Sequence, residues 1–182
     1  MDKPYMPAEA VLAFVQLLNA HNIEVILDGG WAVDALIGHE TRPHEDLDIA
    51  VLHKDVPLIR TLLEERGFVE VPRGDSWECN FVYGNQAGYL IDIHSCSFDD
   101  QGNNIYGVEY TLEAFSGSGE IAGHPVRCIP PALLMEYHTG YPLDSNDFHD
   151  VKLLNRKFGL QIPQDYQKFF AENDPEGDDQ PN

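Results

Sequence analysis

Positive charge is scarce in this chain of 182 residues: Lys and Arg number 11 against 31 Asp and Glu, a formal net charge of −20 with histidine neutral. So acidic a protein repels duplex nucleic acid and anionic membranes unless its few cations gather at one spot, which excludes a general DNA or RNA binder. Long apolar runs are missing too. No stretch approaches the roughly 20 residues needed to span a bilayer, and the first ten residues, MDKPYMPAEA, carry no basic region followed by an apolar one. The expected location is the cytoplasm, with no membrane partner. Cysteine is limited to Cys79, Cys96 and Cys128, odd in number and without a CxxC pair, so neither a disulfide framework nor a zinc knuckle is expected.

What is present is enough apolar content, 43% with 10% aromatics, to build a core. Residues 1–129 read as a mixed α+β unit. Helical spacing of Val11, Leu12, Phe14, Val15, Leu17 and Leu18 predicts a helix over 7–20. A strand at 23–27 ends at Asp28-Gly29-Gly30, a helix restarts at Trp31 and stops at Gly38, and 44–51 alternates as a strand. A helix is expected over 55–66 with Asp55 as its N-cap, then strands at 68–71, 77–83 and 89–94, the last two joined by a glycine-rich turn. Residues 98–104 read as a loop, and 105–110 and 124–129 as short strands around a glycine-rich segment at 116–119. From residue 130 the texture becomes helical, with helices expected at 131–138, 147–158 and 163–170. The last twelve residues hold five acids and no base, the composition of a disordered, solvated tail over 171–182. Without the tail's five acids the body still carries −15 of the −20.

Three features could carry chemistry. Gly29-Gly30 at a strand-to-helix turn lets a backbone approach a ligand closely, with free N–H groups at the helix start suited to phosphate; a tight turn alone would also explain both glycines. Asp46 and Asp48, two apart on an extended chain, project the same way and repel unless a cation sits between them. Mg²⁺ suits such oxygens, while an exposed acidic strand face is the plain alternative. Asp92 lies within the apolar run Leu90-Ile91-Asp92-Ile93, where an unpaired carboxylate is costly to bury; a metal shared with the other two would serve it, as would a solvent-facing edge.

The stretch LDGGWAVDALIGHETRPHEDLDIAV (residues 27–51) with YLIDIHS (89–95) resembles the antibiotic nucleotidyltransferases of the DNA polymerase beta superfamily, which adenylylate lincosamides and aminoglycosides. FSGSGEIAGHPVRCI and EYHTGYPLDSNDFHDVKLL are similar to the back half of the small lincosamide enzymes, so the likeness covers residues 5 to 160. It implies a minimal nucleotidyltransferase fold, a mixed sheet with flanking helices (1–129), followed by a helical C-terminal part (130–170). It further implies that Asp46 and Asp48 bind two Mg²⁺ ions, and that Asp92 ligates the second and is the available general base. The implied reaction moves a nucleoside monophosphate, AMP from ATP, to an antibiotic hydroxyl with loss of pyrophosphate. Gly29, Gly30 and the helix start at Trp31 would hold the β- and γ-phosphates. Arg42 would neutralise triphosphate charge, unless it merely pairs with Glu40 or Glu45.

Asp34 reads as a structural acid in the helix's first turn. His94 and His44 share strand parity with the aspartates and could border the acceptor site or be ordinary strand residues. His138, Asp147, His149 and Asp150 could suggest a metal-dependent phosphohydrolase with a His-Asp doublet. Such a site needs several helix-borne ligands in a mostly helical chain, and the first 130 residues are too rich in strands for it. The expected partner is a small-molecule acceptor, a cationic antibiotic, with no nucleic acid, and the protein itself is expected to be a monomer or homodimer. A nucleotidyltransferase with a protein or tRNA acceptor, and a non-catalytic nucleotide-binding module, are the alternatives; the presence of all three aspartates speaks against the module.

Overall fold

The computed structural model describes residues 5–167. The acidic tail expected over 171–182, and the end of the last expected helix, lie outside the described residues. Helix α1 (Ala8–Ala20) buries Val11, Phe14, Val15 and Leu18, the face its sequence spacing defines. Strand β1 (Val25–Leu27) is wholly buried. Helix α2 (Gly29–Ile37) begins two residues earlier than its sequence indicates, because Asp28 caps it by accepting a hydrogen bond from the Gly29 N–H at 2.8 Å.

Strand β2 (Asp46–Leu52) precedes α3 (Val56–Glu64), and Asp55 stands at the N-cap position of α3 without making a side-chain capping bond. Then come β3 (Val69–Val71), β4 (Asn80–Gly84), β5 (Leu90–Phe98) and β6 (Asn104–Gly107). The segment expected as a loop from Phe98 is a tight β5–β6 connection, in which the Asp99 carboxylate accepts from the N–H groups of Gln101 and Asn103.

The glycine-rich segment forms β7 (Gly117–Ile121), paired with β8 (His124–Cys128). Its glycines hid it from strand propensity, and packing is the reason they are there. A Cβ on Gly119 would collide with the Ala35 backbone of α2, and one on Gly117 with the Cys128 carbonyl. Helix α4 (Pro131–Tyr137) and helix α5 (Ser145–Phe158) follow, and residues 164–167 are helical. Helix α5 starts at Ser145 rather than Asp147 because Asp144 and Asp147 form a reciprocal capping box.

The eight strands make one mixed sheet in the order β3-β4-β5-β2-β1-β8-β7, with β6 continuing along the β5 edge. Strand β2 runs antiparallel to β1 and parallel to β5. Helix α2 packs on β2, β7 and β8 and also meets α4 and α5, so the helix that follows Gly29-Gly30 joins the sheet to the C-terminal helices. One apolar cluster runs through all these layers. Among the described residues, no helix is long and apolar enough to cross a membrane.

Candidate active site

The site begins with strand register. Parallel pairing of β2 with β5 sets Asp48 opposite Asp92 and Asp46 opposite Leu90. The two-residue period of β2 keeps Asp46 on the same face as Asp48. Burial raises the carboxyl pKa of Asp48 well above its ordinary value, and the charges of Asp46 and Asp92 push it the same way. Asp46 and Asp92 are also raised, chiefly by burial, with Arg73 pulling both back and His94 pulling Asp92. Asp92 Oδ1 is buried and accepts no hydrogen bond, although His94 Nε2 lies 3.4 Å away. Hard oxygen donors, mutual repulsion and an orphaned oxygen fit a divalent cation. Among the described residues, no three His, Cys, Asp or Glu side chains are gathered into a cage around one point. The contacts of Asp92 run to His94 and to Arg73 instead.

Both glycines are required by what covers them. Gly29 has φ +54°, and a Cβ there would strike the Asp48 carboxylate. A Cβ on Gly30 would strike the Arg42 guanidinium and the His44 ring. The close approach they permit is therefore made in part by the chain's own side chains. Trp31 is 2% exposed and its indole stacks on His44 at 4.6 Å between centroids. Its side chain belongs to the core, and it is not among the residues that line the cleft, where Gly29 and Gly30 are.

His94 sits in a tight network. Tyr110 donates to Asp28 Oδ2 at 2.5 Å, and His94 Nδ1 lies 3.0 Å from the Tyr110 hydroxyl and 3.9 Å from Asp28 Oδ2. Burial alone would lower the imidazole pKa, but the nearby carboxylates of Asp28 and Asp92 raise it to about 9. Asp28 is held low against its burial by His94, Tyr110 and the Gly29 N–H.

His44 is placed differently. It is buried, and its Nε2 donates to Asp34 Oδ2 at 2.5 Å, while Thr41 donates to Asp34 Oδ1 at 2.6 Å. The pair braces the α2–β2 connection and does not line the cleft. With α2 beginning at Gly29, Asp34 stands beyond the first turn, so its structural part comes from these bonds and not from the helix dipole.

Arg42 is not an isolated surface cation, because it pairs with Asp150. Its Nε meets Asp150 Oδ1 at 3.0 Å and its Nη2 meets Asp150 Oδ2 at 2.6 Å. His138 Nε2 lies 3.8 Å from the same carboxylate, while His149 bonds Thr41 and Asp147 caps α5. These four residues form no helical metal cluster.

A cleft of about 520 Å³ opens over Asp46 and Asp48, with His94 but not Asp92 among its lining residues. Of its fifteen lining residues seven are Asp or Glu, and Arg42 is the one Lys or Arg among them. Sequence reasoning missed Asp28, Tyr110, Tyr137, Tyr141 and Asp144 as parts of this region. Asp28 carried a readable signal, an N-cap acid before the helix; Tyr110 carried none, since it reaches Asp28 across 82 positions.

Known proteins share this architecture. The family profile for aminoglycoside-2''-adenylyltransferase matches residues 10–154. A lincosamide resistance protein of Staphylococcus haemolyticus is 30% identical over 136 residues, covering 70% of this chain and 81% of its own. A 2''-aminoglycoside nucleotidyltransferase of Escherichia coli is 29% identical over 59% of this chain, which spans only 58% of that relative. In fold, the chain resembles the lincomycin-bound lincosamide adenylyltransferase LnuA (TM-score 0.73, 22% identity, 83% of this chain and 98% of that one). It also resembles ANT(2'')-Ia in complex with adenylyl-2''-tobramycin (TM-score 0.68, 20% identity, 84% and 89%). With the profile spanning most of its length, this chain belongs to the aminoglycoside-2''-adenylyltransferase family.

Proposed function

We propose that this protein transfers AMP from Mg·ATP to a hydroxyl of a cationic antibiotic, a lincosamide or an aminoglycoside, with release of pyrophosphate. The observation that carries this reading is the register of Asp48 on β2 with Asp92 on β5, beside Asp46 at a cleft whose wall is acidic, in a chain of this family. Asp46, Asp48 and Asp92 would hold the two magnesium ions, which when bound neutralise charge on the transferring phosphoryl group and activate the acceptor hydroxyl.

The chain's own groups do the rest. Asp92, whose buried Oδ1 has no hydrogen-bond partner, would be the group that accepts the hydroxyl proton. The N–H groups at the start of α2, around Gly30 and Trp31, are suited to phosphate oxygens. Arg42 adds positive charge from the cleft wall while its guanidinium fork stays on Asp150. His94 is placed to orient Asp92 through their contact more than to meet the acceptor. Asp144 and Asp147 at the start of α5, beside Tyr137 and Tyr141, give an ammonium-bearing acceptor its counter-charges. The same acidic wall disfavours a tRNA acceptor.

Purified protein with Mg·ATP and a panel of lincosamides and aminoglycosides should yield a product heavier by one adenylyl group in mass spectrometry. No adduct with any drug and any of the four nucleoside triphosphates would sink the antibiotic reading. Asp46→Asn should abolish transfer in a folded protein, and near-normal activity of that variant would refute the metal assignment.

A further inference from the structure

We propose that Arg73 is an internal counter-ion of the carboxylate site, resting on Asp92 while no divalent cation is bound and passing to the polyphosphate when one is. This role rests on the proposed nucleotidyl-transfer reading and adds a residue to it. Arg73 lies on the β3–β4 connection, outside every motif of the sequence. Its Nη1 is 3.6 Å from Asp92 Oδ2, an ion-pair distance too long for a good hydrogen bond. Its charge also acts on Asp46. One guanidinium thus contacts Asp92 and lies near enough to Asp46 for its charge to be felt there.

Three observations separate Arg73 from the other cation of the region. Arg42 is committed, with two bonds to a carboxylate that is 1% exposed, whereas the Arg73 side chain is 40% exposed and makes a single long contact with the site. The backbone that carries it is a pinned turn: the Arg73 N–H donates to Ser76 Oγ at 2.9 Å and the Ser76 N–H donates to the Arg73 carbonyl at 3.2 Å. The side chain can therefore swing without the loop moving. The cleft is also poor in cations for a polyphosphate, Arg42 being the one Lys or Arg among its described lining residues. A guanidinium next to Asp92 and free to turn supplies what that lining lacks, since its planar fork suits phosphate oxygens. A divalent ion and Arg73 cannot both neutralise Asp92 at full strength, because like charges a few ångströms apart repel.

The test uses the whole protein and two binding measurements that need no turnover. The first titrates Mn²⁺ alone, followed by its electron paramagnetic resonance signal, into the unaltered protein, Arg73→Gln and Arg73→Lys. Arg73→Gln should bind Mn²⁺ several-fold more tightly, and Arg73→Lys should stay near the unaltered protein. The second titrates ATP at saturating Mn²⁺ without acceptor by calorimetry. There Arg73→Gln should bind about tenfold more weakly, the loss of one charge-assisted contact. Unchanged Mn²⁺ affinity, or unchanged ATP affinity, in Arg73→Gln overturns the proposal. Asp48→Asn separates this from the parent reading: if it abolishes Mn²⁺ binding while Arg73→Gln changes nothing, only the role of Arg73 fails. If Asp48→Asn leaves Mn²⁺ binding intact, the carboxylate site itself is refuted.

Discussion

Arg42, on the connection between α2 and β2, grips Asp150 of α5 at two points, Nε to Oδ1 at 3.0 Å and Nη2 to Oδ2 at 2.6 Å. The residues are 108 positions apart, and their pairing ties the α2–β2 connection to the helix that forms the far wall of the cleft. Arg42→Met would leave the Asp150 carboxylate buried with only His138 for a partner. We expect a loss of about 3 kcal/mol in urea unfolding, the scale for breaking a buried pair from one side. The double variant Arg42→Met/Asp150→Leu should lose less than Arg42→Met alone, because no charge is then stranded. An additive double variant would show that the pair carries no coupling.

Asp48 is the carboxylate most crowded by its neighbours, raised first by burial and then by Asp46 and Asp92. Replacing it with Asn removes one of three like charges without changing shape. Measured near neutral pH in the presence of a chelator, Asp48→Asn should melt above the unaltered protein by a few degrees, about 1 kcal/mol at this chain length, while losing transfer altogether. A lower melting temperature would mean that Asp48 makes a structural contact outweighing the repulsion.

The His138–Asp150 contact sets a pH dependence of stability. Burial by itself would lower the His138 pKa, yet the Asp150 carboxylate 3.8 Å away and the hydrogen bond to the Leu134 carbonyl raise it above the ordinary histidine value. A group raised on folding contributes stability that is fully present below its unfolded value and lost as pH climbs through its folded value. Asp150 is shifted the other way: its pKa is lowered against burial by His138 and Arg42, so its contribution holds above about 4 and fades as pH falls through its depressed value. The melting-temperature gap between the unaltered protein and His138→Gln should therefore be widest between about pH 4 and 6.5 and should shrink as the pH rises beyond. A gap independent of pH would show that His138 is neutral in the fold.

The order of residues along the chain was enough wherever local geometry is in control. The period of a strand put Asp46 and Asp48 on one face, the spacing of α1 chose its buried side, and the quoted motifs carried the family. It did not show β7, because Gly117 and Gly119 answer to the close packing of α2 and β8 and not to strand propensity. Nor did it show where α2 and α5 begin, since those starts are set by the side chains of Asp28 and of Asp144 with Asp147.

Tertiary structure alone decided which residues meet. The register of Asp48 with Asp92, the grip of Arg42 on Asp150, the Tyr110–Asp28 bond and the rest of Arg73 on Asp92 each join segments with no common local pattern. Such pairings follow from the sheet order and from the need to give every buried charge a partner, and neither constraint can be read along a single stretch of chain. The scarcity of positive charge was plain from composition. Its placement, one arginine committed to α5 and another 3.6 Å from Asp92, was settled only when the fold brought distant strands and helices together.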